Sequence, residues 1–172
     1  MKKISVILLS LVMGMMLTLN AQAPYKHSIG GTFLSYEAFS YKTFLTDNLA
    51  LSVDAGLKWT VTPISGTNML PMSIEVNPNV MYEAPAGGSG LHWLVGGGLS
   101  MGYVFSINSF YSYNASCGKF GVNAIGGIEY KFKIPLTLQA DFRPGYGLLF
   151  TSKNNASYFD WALCVGVRYV FH

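Results

Sequence analysis

The chain has 172 residues and a formal net charge of +3, with 11% charged and 15% aromatic residues. Soluble domains carry roughly 25% charged residues, so an ordinary charge-covered surface is excluded. No basic patch points to nucleic acid, and none is expected as a partner.

Lys2 and Lys3 precede an apolar run from Ile4 to Leu19, and Ala21-Gln22-Ala23 follows as a small-residue cleavage motif. This is the pattern of a secretory signal peptide, which stands apart from the fold. Residues 1–21 are expected to be removed by a cut after Ala21. A cut after Ala23 also fits the motif, but it would leave the rigid Pro24 next to the scissile bond. Residues 22–172 are expected to form one domain. Of the eleven basic residues two lie in the signal, which leaves nine against eight acids. An exported chain can form disulfides, but Cys117 sits near an expected loop and Cys164 in mid-strand, so both are expected to be free thiols. Neither has metal-ligand spacing, and no metal or cofactor is expected.

The remaining chain alternates with period two, the mark of strands with two unlike faces. In the first segment, 25–34, Ile29 and Phe33 oppose Lys26, Ser28 and Thr32. Ser35-Tyr36-Glu37 reads as a polar link. In 38–45, Phe39, Tyr41 and Leu45 oppose Ser40 and Lys42, and Thr46-Asp47-Asn48 is a turn signal. The third segment sets Leu49, Leu51, Val53, Ala55, Leu57, Trp59 and Val61 against Ser52, Asp54, Lys58 and Thr60. Pro63 to Pro71 is a loop. The fourth runs from Met72, with Ile74, Val76, Val80 and Tyr82 opposite Ser73, Glu75, Asn77, Asn79 and Glu83. Pro78 interrupts it, since proline lacks a ladder donor. A turn covers Pro85 to Gly90, and the fifth segment extends from Leu91 to Ile107.

Asn108 to Cys117 is a loop rich in Ser, Asn and Tyr. The sixth segment, 118–132, places Lys119, Asn123, Glu129 and Lys131 opposite an apolar face. The seventh, 136–150, places Gln139, Asp141 and Arg143 in the same way. In the last, Phe159, Trp161, Leu163, Val165, Val167, Tyr169 and Phe171 oppose Asp160, Ala162, Cys164, Gly166 and Arg168. The expected fold is all-β: an eight-stranded antiparallel up-and-down transmembrane β-barrel behind a cleaved signal peptide. Long strands, and Trp and Tyr near their ends on the apolar face, favour a membrane barrel over one that buries that face.

The signal peptide, the eight segments and the aromatic end Arg168-Tyr169-Val170-Phe171 resemble the small outer-membrane β-barrel domain family, the OmpX-like eight-stranded barrels. The stretch Ser40 to Leu51 is similar to a hairpin of that group. The resemblance implies an outer-membrane location, with membrane lipid and lipopolysaccharide as surroundings and a monomeric state. It also implies that Tyr169 and Phe171 form the assembly signal read by the insertion machinery, although His172 follows Phe171 here.

Eight strands leave an interior just wide enough for side chains. Buried charges need partners. The lumen is therefore expected to hold an ion-pair network of Lys58, Lys131, Arg143 and Arg168 with Asp54, Glu75, Glu83, Glu129, Asp141 and Asp160, which acts as a plug. No catalytic residue is expected. His27 and Ser28 are adjacent and so face opposite sides of a strand, His92 points inward near a turn, and no His-x-Ser pair is present. The function expected is non-catalytic, envelope-structural or surface-interacting, with a surface partner at loop 108–117. The alternative is a soluble periplasmic lipocalin-like barrel binding a small apolar ligand. A narrow porin and a lipid A-modifying enzyme are the remaining readings.

Overall fold

The computed structural model describes residues 23–59, 72–88, 90–105, 117–150 and 155–171. The expected signal peptide, the loop 63–71 and the rim loop up to residue 116 lie outside these. The described chain forms eight strands: β1 (His27–Leu34), β2 (Tyr36–Phe44), β3 (Leu49–Trp59), β4 (Met72–Gly88), β5 (Leu91–Phe105), β6 (Cys117–Lys131), β7 (Leu136–Phe150) and β8 (Asn155–Phe171). Each pairs antiparallel with its neighbours in sequence, and β1 pairs with β8 to close the ring. Closure leaves no free edge along the paired segments, which is how an up-and-down barrel satisfies its backbone.

The alternation has the expected sense and turns inside out relative to a soluble protein. Phe33, Phe39, Val122, Ile128, Tyr146, Phe159 and Tyr169 are each more than half exposed on the outside. Lys42, Asp54, Glu83, Glu129 and Arg168 are at most 1% exposed and point into the lumen. Aromatic rings gather towards strand ends, as in the Tyr82–Trp93 pair (5.5 Å) and the Tyr130–Phe132 pair (4.9 Å).

Several boundaries move. The expected link 35–37 shrinks to Ser35, because β2 already begins at Tyr36 and Leu34 takes a left-handed φ of 83° to make so tight a turn. Tyr36 is consequently a lumen residue, and Glu37 a strand residue on the exposed face. β4 continues to Gly88 with a register shift between Pro85 and Gly88, and Gly90 turns the chain at φ 97°. The β4–β5 ladder lapses at Asn77 and Pro78 and resumes in the same register. The β2–β3 turn is held by Thr46, whose Oγ1 accepts the Leu49 N–H at 3.1 Å.

Inside the ring, apolar clusters lie among the polar groups towards both ends. Towards the end that carries the termini, Tyr25, Phe44, Ala50, Met81, Leu94, Ile125 and Val170 pack together. Towards the other end Val104, Cys117, Leu149 and Tyr158 do the same. Inward glycines make room for long side chains from the next strand. A Cβ on Gly145 would lie 2.5 Å from Asp160 Oδ1, and one on Gly102 would lie 2.2 Å from Ile74 O and 2.9 Å from Glu75 Cγ. Gly102→Val is therefore expected to destabilise the barrel by about 1–3 kcal/mol or more through overpacking. Urea unfolding in detergent micelles, followed by the shift of the folded band on unboiled gels, measures this.

Candidate functional site

The charged lumen is the chemical centre of the molecule. Five bases (Lys42, Lys58, Lys119, Arg143, Arg168) and six acids (Asp54, Glu75, Glu83, Glu129, Asp141, Asp160) are buried within it. Period two puts them there: most are flanked in their strands by apolar residues that point outward, as Asp54 is by Val53 and Ala55 and Arg168 by Val167 and Tyr169. They form three linked groups.

Near the termini, Lys42 on β2 donates to Glu129 Oε2 at 2.9 Å and also pairs with Glu83. Tyr25, just before β1, donates its hydroxyl to Glu129 Oε1 at 2.8 Å. Burial pushes the Tyr25 hydroxyl pKa up, so it keeps the proton it donates. The Lys42 ammonium stands 5.5 Å and 5.2 Å from the Tyr25 and Phe44 ring centroids, a cation–π distance.

In the middle, Arg143 is held from two strands. Its Nε donates to Asp141 Oδ1 at 2.5 Å, its Nη2 to Asp141 Oδ2 at 3.2 Å, and its Nη1 to Asp54 Oδ2 at 2.6 Å. Gln139 connects this group to the first. Its amide donates to Asp141 Oδ2 at 2.5 Å, and its carbonyl accepts from Arg168 Nη1 at 2.8 Å. Tyr36 braces the wall, its hydroxyl lying 2.9 Å from Asp54 O and 3.0 Å from Glu75 O.

Towards the far end, Lys119 donates to Glu75 Oε1 at 2.5 Å and Asp160 Oδ2 at 2.7 Å. Lys58 shares Asp160 Oδ2 at 2.9 Å, and Ser73 donates to Glu75 Oε1 at 2.5 Å. The Lys119 ammonium lies 4.5 Å from the Tyr158 ring centroid.

Nine of the ten residues expected in the network are therefore in it. Lys131 is not. It lies at the end of β6, where its ammonium turns back to the carbonyls of Phe132 and Ile134 at 2.9 Å and 3.0 Å. Lys26 precedes β1 and is exposed, although its parity matched that of Ser28. Lys42 and Lys119 had the right parity but were left out of the expected network, and each bonds or pairs with two acids. Their signal was present in the alternation, since each lies within its strand on the face opposite the apolar one. His27 points outward and Ser28 inward, as adjacency required. His92 is buried. Cys117 and Cys164 are free and buried. Tyr169 and Phe171 lie on the outer face of β8. Among the described residues no group of His, Cys, Asp and Glu is arranged to hold a metal ion.

No protein-family model matches the chain, and no curated protein does. Solved structures do. The N-terminal β-barrel domain of Pseudomonas aeruginosa OprF superposes with a TM-score of 0.61 at 22% identity, over 88% of this chain and 100% of that one. Neisserial surface protein A (NspA) gives 0.56 at 15% identity, over 84% and 93%. The chain shares their fold. The OmpX-like family named from the sequence has no matching family model behind it.

Removing one cation from a buried cluster strands its acids, which costs about 3–5 kcal/mol. Arg143→Met, which leaves Asp54 and Asp141 uncompensated, is expected to lose stability by that amount. Lys131→Met, at a half-buried site where only hydrogen bonds to two turn carbonyls are lost, is expected to cost less, about 1 kcal/mol. Equilibrium unfolding of both variants in the same detergent compares the two.

Proposed function

We propose that this chain is a non-catalytic integral protein of a bacterial outer membrane, exported by its N-terminal segment, in which a closed barrel anchors surface loops. The observation that carries this reading is the inversion of the fold. The outside is apolar and aromatic, and the lumen holds the charges. In lipid every backbone group must be satisfied within the protein, and a closed barrel does that. Strands of 15 to 17 residues in β4–β8 are long enough to span a bilayer at a tilt. The fold shared with the OprF barrel domain and NspA supports the location.

Both termini and the turns after β2, β4 and β6 would face the periplasm, and the one-residue turn at Ser35 and the connections 60–71, 106–116 and 151–154 the outside. Ion pairs that cross the lumen make it a filled strut that stiffens the wall. This supports an envelope-structural or surface-interacting role over passage of solutes. The aromatic and amide residues of 108–114 suit contact with a partner at the cell surface. Lipopolysaccharide would surround the outer half of the barrel, and Tyr169 and Phe171 would serve its insertion. The lipocalin-like alternative requires an apolar lumen, whereas charged and polar side chains fill the middle of this one.

Cell fractionation with boiled and unboiled gel samples tests the reading. A heat-modifiable band in the outer membrane is expected, and a soluble periplasmic band with unchanged mobility would overturn it. Val165→Lys places a base on the outer face of β8, at a cost of about 2–4 kcal/mol if that position lies at the bilayer midplane. The variant is expected to fail to assemble, as read by loss of the folded band. Normal assembly would show that this face does not meet lipid.

A further inference from the structure

The ring is weakest at its first strand. β1 has 8 residues, while β5, β6 and β7 have 15 and β4 and β8 have 17. β1 pairs with β2 along one edge and with β8 along the other, so the closure of the barrel runs through it. Just past its end β2 and β8 meet directly, with Tyr36 and Ala38 packed against Ala162 and Cys164.

Two side-chain straps cross β1, one on each face. Inside the barrel Arg168 of β8 passes over Gly30, where a Cβ would lie 2.7 Å from Arg168 Cα, and its Nε donates to Ser40 Oγ of β2 at 2.9 Å. Outside, His27 of β1 stands between rings from both neighbouring strands. Phe171 of β8 is 5.6 Å away at 23°, and Tyr41 of β2 is 6.2 Å away at 20°. The Tyr41 hydroxyl and His27 Nδ1 are hydrogen-bonded at 3.0 Å. Both straps join β2 to β8 across the strand between them. The ring stack sits where β1 begins, opposite the last residues of β8.

We propose that the folded barrel opens laterally at the β1–β8 seam, starting from the end that carries the termini, and that the Tyr41–His27–Phe171 stack is the latch that holds it shut. The two ladders of β1 are the shortest in the ring, six residue pairs with β2 and eight with β8 against nine to fifteen along the other edges, and because the turn at Ser35 ties β1 to β2 the β1–β8 edge is the one whose parting opens the ring at least cost. Opening deep in lipid would expose unpaired backbone groups. The rim, where water reaches the strand ends, is the place to start, and the stack is at that rim. Arg168 holds the inner face through Ser40 and remains engaged while only the rim frays.

Hydrogen exchange of the mature chain in lipid vesicles, read by mass spectrometry, tests this. Peptides covering 27–34 and 164–171 are expected to exchange ahead of those from β5 and β6. His27→Ala is expected to raise seam exchange about tenfold, in line with the loss of two ring contacts, and to leave β5 and β6 unchanged. Tyr41→Phe, which keeps the ring and removes only the hydroxyl, is expected to give a smaller rise at the same peptides. A disulfide between Gly31→Cys and Val167→Cys, which are register partners on the outer face, is expected to abolish the effect of His27→Ala when Cys117 and Cys164 are replaced by serine. Seam peptides that exchange no sooner than β5, a uniform rise over all strands in His27→Ala, or an undiminished effect in the disulfide form would each overturn the proposal.

Discussion

The structure depends on one electrostatic constraint. Eleven ionisable side chains are buried in one interior, and every one that carries charge must find an opposite charge there. Taking such groups out of water costs several kcal/mol each, and only close pairs with extra hydrogen bonds recover it. The lumen meets the constraint by sharing. Lys119 serves Glu75 and Asp160, Arg143 serves Asp141 and Asp54, and Lys42 serves Glu129 and Glu83. Neutral groups carry the connections between clusters, as Gln139 does between Arg168 and Asp141.

The wall has to accommodate that network. A barrel of eight strands is narrow, and its charged side chains reach partners on strands that are not their neighbours. Lys42 on β2 reaches β4 and β6, and Lys58 on β3 reaches β8. Small residues beneath them are the geometric counterpart. Tyr158 lies over Gly121 and Gly147, and Asp160 over Gly145. The outer face has the opposite task, offering a continuous apolar and aromatic surface that needs no partner within the chain.

Strand number, direction and the sense of each face were readable because period two is a local property that survives without tertiary information. The charged members of the lumen were readable for the same reason. Strand ends were not. Parity continues through a turn, so Lys26 and Lys131 looked like lumen residues although one precedes its strand and the other bends back onto the β6–β7 turn. Tyr36 was misplaced by the polarity of its neighbours Ser35 and Glu37, since a one-residue turn has no composition to reveal it. Which base meets which acid depends on stagger around the ring. The alternation carries no information about stagger, and so the double roles of Lys42 and Lys119 became visible only in three dimensions.

The mixing of apolar and charged groups in the interior has a further consequence. The Lys42 ammonium, which pairs with Glu83 and Glu129, stands against the Tyr25 and Phe44 rings of one apolar cluster, and the Lys119 ammonium against the Tyr158 ring of the other. Each of these cations is walled by aromatic carbon as well as by its acids. A low-dielectric wall strengthens the attraction between the paired charges and, by the same token, raises the cost of leaving any one of them unpaired.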